Sequence, residues 1–266
     1  MKIALIGCGF MGEAILTATL AKGVLTAGDV CVAEISDERR SMIKTRHAVM
    51  ATPIPVEAIV DAEVVLFAIK PQEFNAVASQ LRGKMTPRQT VMSIMAGVPI
   101  ERMQRALDHA AIARVMPNTP AAIGEGMSVW TATTEVDDAA RERVKSILGA
   151  LGRQEYVDDE KYLDMATALS GSGPGFVYML LEAFIDAGVH IGFRRDVAET
   201  LAVQTFVGAA KYAETTGKHP AQLRNEVTSP AGTTAAGLLV LESAGVRGAI
   251  IDAVEAAYNR SRELGA

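Results

Sequence analysis

Hydroxyl side chains and small residues are concentrated in one segment near the carboxyl end of the chain, residues 226–238. Its hydroxyl groups belong to Thr228, Ser229, Thr233 and Thr234. The segment contains Gly232 and leads into a run with helical spacing. Such a turn offers backbone N–H groups and side-chain donors to an anion such as a carboxylate. The same pattern also suits an ordinary helix N-cap.

A second segment that could bind a ligand is the glycine-rich loop after the first strand-like run. Gly7, Gly9 and Gly12 have the G-x-G-x-x-G spacing of a dinucleotide-binding turn. In that motif Gly7 permits a tight turn, Gly9 lets the backbone approach a pyrophosphate, and Gly12 lets the helix pack against the sheet. A cofactor site and a small-anion site in one chain together favour a redox enzyme.

The choice of nucleotide depends on residues after the second strand-like run. Glu34 lies at the end of that run, where a carboxylate accepts hydrogen bonds from the adenosine ribose hydroxyls. It also suits a solvent-exposed strand end. Arg39 and Arg40 follow within about one helical turn and are alternative partners for a 2′-phosphate. The pattern leaves both NADH and NADPH open and weakly favours NADH.

Other strand ends fall at the same predicted edge of the sheet. Lys70 ends a buried run and suits either a ribose or phosphate contact or a solvated strand end. The small residues of 93–98 leave space for a nicotinamide ring, and the proline-rich turn 114–120 is a candidate wall. Residues 170–175, rich in glycine and serine, suit either an anion-binding helix start or an interdomain hinge.

Composition excludes several classes of protein. The chain has 266 residues, 49% of them hydrophobic, and a net charge of −5 without long runs of one sign. Neither nucleic acid nor a membrane is therefore an expected partner, and no uninterrupted apolar run reaches the ~18 residues of a membrane span. Two cysteines and no secretory signal pattern fit a cytoplasmic, reducing compartment. The four scattered histidines show no ligand spacing, so we expect no metal site.

The hydrophobic pattern changes character along the chain. In residues 1–158 strand-like and helix-like segments alternate, which predicts an α/β fold with a Rossmann-type, doubly wound parallel sheet. From residue 159 to 266 the segments are helical only. Helices expected at 175–191 and 194–215 are apolar on more than one face. A well-covered core explains this pattern, but we favour a subunit interface, so residues 159–266 are predicted to be a substrate-binding and dimerisation domain.

Taken together, these segments resemble the pyrroline-5-carboxylate reductase family over nearly the whole chain. The motifs that carry the resemblance are GCGFMG (7–12), AIKPQ (68–72), SIMAGV (93–98), RVMPNTPA (114–121), ALSGSGPGFVY (168–178), TSPAGTTAAGL (228–238) and AVEAAYNRSREL (253–264). The carboxyl-terminal motifs are highly specific, whereas many dehydrogenases share the first. The resemblance implies an interlocked homodimer, with larger rings of dimers in some members.

The resemblance also implies roles for individual residues. Substrate contacts fall on Ser229, Gly232, Thr233 and Thr234, and residues along the cofactor are Gly9, Phe10, Met11, Lys70 and Ala96. It implies reduction of 1-pyrroline-5-carboxylate to L-proline by NADH or NADPH. Thr234 is a candidate to hydrogen-bond the ring nitrogen and act as proton donor, with water as the alternative.

Three positions depart from the family pattern. Glu34-Ile35 replaces residues suited to a 2′-phosphate, and residues 52–55 (Thr-Pro-Ile-Pro) replace an Asp-Asn pair, which removes an expected adenosine contact. Ala231 replaces a common glycine, which is tolerable if its φ is negative.

Two other functions share parts of this pattern. A 3-hydroxyacid-type dehydrogenase has a similar opening and a helical second domain, but it needs a lysine shortly after a glycine-rich turn. Here the first lysine after residues 170–175 is Lys211. A noncatalytic nucleotide-sensing protein on the same scaffold is the other alternative.

Overall fold

The computed structural model describes residues 1–265 and divides the chain into two compact units. The first unit comprises Met1–Ser172 and the residues from Ala257 onward, and the second comprises Gly173–Ala256. This division lies later in the chain than residue 158. The reason is that the helix Lys161–Ala166 packs on the sheet of the first unit through buried Leu163.

The first unit is built on one eight-stranded sheet. Its strands are β1 (Ile3–Ile6), β2 (Val30–Ala33), β3 (Met50–Thr52), β4 (Val64–Phe67), β5 (Thr90–Ser93), β6 (Ile112–Met116), β7 (Gly126–Ala132) and β8 (Gly152–Tyr156). Their order in the sheet is 3-2-1-4-5-6-7-8, and only the β6–β7 pair is antiparallel. The chain therefore reverses its direction of winding beside β1, where ligands bind in sheets of this kind.

Twelve α-helices complete the part of the chain that the structure describes. They are α1 (Phe10–Ala21), α2 (Asp37–His47), α3 (Pro55–Ala58), α4 (Phe74–Leu81), α5 (Ile100–Leu107), α6 (Asp138–Leu151), α7 (Lys161–Ala166), α8 (Gly173–His190), α9 (Arg195–Thr216), α10 (Pro220–Glu226), α11 (Thr233–Ser243) and α12 (Val246–Gly265). Short 3₁₀ turns cover Ala27–Asp29, Pro71–Glu73 and Thr119–Ile123, and Thr167–Gly171 is a π-helical turn.

Alternate residues of the central strands form two separate cores, one on each face of the sheet. In β4, Val64 and Leu66 pack in one core and Val65 and Phe67 in the other. The first core takes its helical side chains from α1, α2 and α6, and the second from α3, α4 and α5. Burial on both faces explains why these strands are continuous apolar runs. The predicted α/β Rossmann-type fold with helices on both faces is confirmed.

The structure contains two strands that the hydrophobic pattern did not predict, β3 and β8. β3 has only three residues, and β8 reads Gly-Arg-Gln-Glu-Tyr. Both lie at the edges of the sheet, where backbone pairing stabilises a strand that buries little side-chain area. At the start of α2 the Ser36 hydroxyl is the N-cap and accepts the Arg39 amide at 3.2 Å.

The second unit is helical throughout, as predicted, but it has almost no buried side chains. Ala198 and Ala202 are its only buried residues. Large apolar side chains are exposed on α8, α9 and α11, among them Met179 (62%), Val207 (54%) and Leu239 (69%). Exposed apolar area on several helices of one unit indicates a surface that another chain covers.

One helical stretch, Lys161–His190, is long and apolar enough to cross a membrane by length and composition alone. Helices buried in the core of proteins without a membrane pass the same test. The stretch carries Glu182 and Asp186, and it belongs to the same set of exposed apolar helices. We assign its apolar surface to the subunit interface.

We predict that wild-type protein is at least a dimer at micromolar concentration and that Val207→Glu weakens this assembly. A carboxylate placed in an apolar interface loses its hydration, which costs several kcal/mol. Size-exclusion chromatography with light scattering measures the mass. Val60→Glu is the matched control, because Val60 is 72% exposed in the first unit. A stable wild-type monomer would contradict the prediction, as would equal masses for the two variants.

Candidate functional site

The glycine loop joins β1 to α1 with little space at two of its three glycines. Gly7 has φ +82°, and a Cβ there would overlap Ile69. A Cβ on Gly12 would lie 2.8 Å from the Gly7 carbonyl oxygen and 3.2 Å from Ala68 Cβ. At Gly9 a Cβ would meet nothing within 4 Å. The backbone at Gly9 is therefore open to a ligand, whereas the other two glycines hold the loop against the sheet.

The amino terminus of α1 carries unpaired amide groups at this opening. Gly9 is the N-cap, and no side chain among residues 1–265 caps it. The first intrahelical bond runs from the Glu13 amide to the Gly9 carbonyl at 2.9 Å. Amides of the preceding first turn lack an intrahelical acceptor by helix geometry, and they suit a phosphate group.

A cleft of about 570 Å³ lies beside this loop at the carboxyl ends of β1, β2 and β4. It gathers four of the predicted cofactor residues: Gly7, Gly9, Glu34 and Lys70. Pro53 and Pro55 also line it, at the place where the family's Asp-Asn pair is missing. The open backbone at Gly9 and the size of the cleft fit a dinucleotide.

Four other predicted cofactor residues lie outside the lining of this cleft. Phe10 is 66% exposed at the start of α1, and Met11 and Gly12 follow it. Ala96 lies in the turn after β5, half-buried. In that turn Gly97 has φ +68°, and a Cβ on it would lie 2.8 Å from the Leu264 carbonyl oxygen. The end of α12 thus packs against residues 93–98, where space for the nicotinamide is predicted, a contact that sequence reasoning missed.

The Glu34 carboxylate is held by the glycine loop. Its Oε2 accepts the Cys8 amide at 3.1 Å, and its Oε1 accepts the Ser36 amide at 3.1 Å. The Glu34 amide donates to the Thr52 carbonyl at 3.0 Å. Because an ionised carboxylate offers about four lone-pair sites, two remain for other donors. Glu34 is thus a fixed anionic acceptor in the cleft.

Neither arginine that follows Glu34 is free. Arg39 Nε donates to the Cys8 carbonyl at 2.8 Å, and its guanidinium pairs with Glu13 at 2.6 Å. Arg40 donates to the Glu34 and Ile35 carbonyls, both at 2.7 Å. Sequence reasoning missed these hydrogen bonds and the ion pair with Glu13. The acidic residue in the first turn of α1 was the available signal for an arginine partner.

The Cys8 thiol has no exposed surface. Burial raises the pKa of the Cys8 thiol to about 12, and the nearby Arg39 lowers it only in part. The thiol is therefore protonated at neutral pH and acts as a small packing group. Among residues 1–265, no group of three His, Cys, Asp or Glu side chains is arranged to hold a metal ion.

In the second unit the hydroxyl-rich segment 226–238 contains the amino terminus of α11, which begins at Thr233. Gly232 is the N-cap, and in the described chain no side chain bonds to this end of the helix. A Cβ on Gly232 would overlap the Ser229 hydroxyl, so this position has no room for a side chain while Ser229 keeps its place. The Gly232 amide donates to the Ser229 carbonyl at 3.0 Å. An uncapped helix start beside hydroxyl groups favours the anion-site interpretation over the ordinary N-cap.

Ala231 in this segment has φ +56°, so the condition under which it replaces glycine without strain is not met. A left-handed conformation costs an L-residue roughly 1–2 kcal/mol because Cβ crowds the following carbonyl. The strain is held between Ser229 and Gly232, next to the predicted substrate contacts.

Residues 170–175 do not present a free helix start. The π-helical turn Thr167–Gly171 leads into α8, and the Ser172 amide donates to the Thr167 carbonyl at 2.8 Å. Asn118, from the predicted wall, donates to the Ser170 carbonyl at 3.1 Å. This segment therefore fixes the wall and does not offer amides to an anion.

Family models match both the sheet-containing part and the helical part of the chain. Residues 160–264 match the family described as pyrroline-5-carboxylate reductase dimerisation, and residues 2–97 match NADP oxidoreductase coenzyme F420-dependent. A pyrroline-5-carboxylate reductase of Synechocystis is 42% identical over 100% of this chain and 98% of its own length.

The chain belongs to the pyrroline-5-carboxylate reductase family.

Solved structures agree with this assignment. A pyrroline-5-carboxylate reductase from Coxiella burnetii superposes with a TM-score of 0.92 at 34% identity, over 100% of this chain and 98% of that one. A Plasmodium falciparum pyrroline carboxylate reductase with NADP bound gives 0.91 at 27% identity, over 100% and 98%. The predicted family and its two-domain architecture are therefore confirmed.

We predict that Gly9→Val abolishes cofactor binding without unfolding this member of the family. The new side chain would enter the open space that a pyrophosphate needs, and its Cβ would meet no protein atom within 4 Å. Calorimetric titration with NAD⁺ measures binding, and circular dichroism measures folding.

Two further valine variants make the Gly9 experiment interpretable. Gly149→Val is the matched control, because a Cβ there also meets nothing within 4 Å, on α6. Gly12→Val should damage the fold itself, since its Cβ would approach backbone. Unchanged affinity in Gly9→Val would place the nucleotide elsewhere.

Proposed function

We propose that this protein reduces 1-pyrroline-5-carboxylate to L-proline and that NADH is its preferred cofactor. Membership of the family supports the reaction. The Glu34 carboxylate in the nucleotide cleft supports the cofactor, and it is the observation that carries the more specific part of the proposal.

We assign the substrate to the start of α11. The imino acid carries a carboxylate, and the first-turn amides of α11 with the Ser229 and Thr233 hydroxyls are donors for it. Thr234 hydrogen-bonds the ring nitrogen. Because the protonated imine is already electrophilic, these residues orient the ring and balance its charge, and they need not supply a strong acid.

We assign the cofactor to the cleft of the first unit. The amides at Gly9, Phe10 and Met11 hold the pyrophosphate, and the space at Ala96 admits the nicotinamide. Lys70 lies exposed at the cleft, where its ammonium group meets a phosphate or a ribose hydroxyl. When bound, the reduced nicotinamide supplies the hydride.

NADH is favoured over NADPH because of charge. Glu34 has lone pairs for the 2′- and 3′-hydroxyls of the adenosine ribose, whereas it repels a 2′-phosphate carrying up to two negative charges. The Plasmodium falciparum relative has NADP bound. In the present chain, however, both arginines that would meet such a phosphate already bind other groups.

The assembly is a homodimer, and the family resemblance implies that such dimers can form larger rings. The exposed apolar side chains of α8, α9 and α11 supply the contact surface. Cytoplasmic location, with neither nucleic acid nor a membrane as partner, suits the dispersed charge and a net charge of −5.

The reaction is tested by the loss of NADH absorbance in the presence of 1-pyrroline-5-carboxylate. Thr234→Ala should lower kcat/KM about 10- to 100-fold, the range for one lost charge-assisted hydrogen bond, with cofactor affinity unchanged. Thr216→Ala is the control. The Thr216 hydroxyl donates to the Tyr212 and Ala213 carbonyls within α9, and it accepts the Lys218 amide just after that helix. Full activity in the double variant Ser229→Ala, Thr234→Ala would refute the substrate assignment.

The cofactor preference is tested by kcat/KM for NADH and NADPH in wild type and in Glu34→Ser. We expect wild type to use NADH at least as well as NADPH and the serine variant to shift toward NADPH, because it removes the repelling charge. The ratio is the relevant quantity, since losing the bond to Cys8 weakens both cofactors. A wild-type preference above about tenfold for NADPH would overturn the assignment of Glu34.

A further inference from the structure

Arg39 is one of the two arginines that the sequence offers to a 2′-phosphate, and its side chain does not line the cleft. It lies in the first turn of α2, shortly after Glu34. Its Nε donates to the Cys8 carbonyl, and the adjacent Cys8 amide donates to Glu34. Arg39 and Glu34, whose charges have opposite effects on a 2′-phosphate, therefore both bind the backbone of Cys8.

Glu13 supplies the charge that keeps Arg39 there. One carboxylate oxygen accepts from Arg39 at 2.6 Å, and the other accepts from Arg46 at 2.6 Å and contacts His47 at 3.1 Å. The Glu13 side chain is only 15% exposed. Burial alone would raise the pKa of Glu13, but the hydrogen bonds from His47, Arg46 and Arg39 together hold this pKa below its usual value. Glu13 is therefore anionic at neutral pH.

We propose that Glu13 is a specificity-determining positioning residue, which disfavours NADPH by keeping the Arg39 guanidinium bound to α1. Glu13 is absent from the lining of the cleft, so it acts through Arg39 and not by touching the nucleotide. This inference rests on the proposed nucleotide site and on Glu34 as the ribose acceptor. It adds a second cause of the preference beside the repulsion at Glu34, namely an arginine that is kept away from the phosphate.

Arg40 does not supply a substitute cation. Its guanidinium binds the Glu34 and Ile35 carbonyls and forms an ion pair with Asp37, all within the same turn. None of these partners depends on Glu13. Arg39 is different, because its guanidinium reaches from α2 to α1 and loses its charged partner when Glu13 is neutral. Guanidinium groups bind phosphate through paired, charge-assisted N–H hydrogen bonds. An Arg39 side chain that has lost its ion pair with Glu13 can therefore bind a 2′-phosphate instead.

The test compares the affinities of NADP⁺ and NAD⁺ by calorimetry in wild type, Glu13→Gln and Glu13→Gln, Arg39→Gln. Glutamine keeps the shape of Glu13 and removes its charge. We expect Glu13→Gln to raise the affinity for NADP⁺ relative to NAD⁺ by about tenfold, the gain for one charge-assisted bond. The double variant should lose this gain. Greater salt dependence of NADP⁺ binding in Glu13→Gln would accompany the new phosphate contact.

Glu38→Gln is the matched control for net charge. Glu38 lies beside Arg39 in the sequence but is exposed, and Arg39 forms its ion pair with Glu13 instead. This variant removes the same charge from the same region and should leave the NADP⁺ to NAD⁺ ratio at the wild-type value. An equal shift in both variants would mean that long-range charge, not the release of Arg39, sets the ratio, and would overturn the inference.

Two other outcomes separate this inference from the proposed function. If Glu13→Gln weakens both nucleotides by the same factor, Glu13 only braces the glycine loop and the inference fails, while the reaction and the NADH preference stand. If wild type already binds NADP⁺ more than tenfold tighter than NAD⁺, the proposed NADH preference is wrong. The inference that Glu13 keeps Arg39 from the phosphate is then wrong as well. Circular dichroism and melting temperature confirm folding, and Glu13→Ala repeats the test if the glutamine variant does not fold.

Discussion

The peptide groups of Cys8 are the point on which the nucleotide end of this protein depends. Glu34 takes the Cys8 amide and Arg39 takes the Cys8 carbonyl, so the end of β2 and the start of α2 both fix the loop between β1 and α1. The loop also lies close against the sheet, because neither Gly7 nor Gly12 has room for a Cβ beside Ile69 and Ala68. This arrangement leaves Gly9 open, and it ties Glu34 and Arg39 to the two peptide groups of one residue.

The amino termini of two helices, one in each unit, share one feature. α1 and α11 each begin at a glycine N-cap without a side-chain cap among residues 1–265. Free first-turn amides attract a negative group without the charge of a lysine or arginine. Neutral donors suit an enzyme of this kind, because they can receive an anion without placing a further cation beside a positively charged ring. The strained Ala231 preceding α11 shows that this shape has an energetic cost.

Much of this organisation was predictable from the residues. Continuous apolar runs predicted the central strands, because burial on both faces of a parallel sheet leaves no polar period. The glycine spacing predicted the nucleotide loop, and multi-faced apolar helices predicted a surface for a second chain. The edge strands β3 and β8 were missed since backbone pairing, not side-chain burial, forms them. Ala231 was also unpredictable in detail, because its positive φ is imposed by the turn around it.

The sequence by itself determined the family, the two architectures and the segments that hold charge or hydroxyl groups, because each is a local pattern of residue types. Only the tertiary structure decided which charges remain available. Arg39 and Arg40 are equivalent candidates for a 2′-phosphate in the sequence, but one binds Glu13 across two helices and the other binds its own turn. Residues 13 and 39 are distant in the chain, and their pairing exists only when α1 and α2 pack on the same face of the sheet. Long-range contacts of this kind leave no periodic signal, so the withheld arginine is a property of the fold.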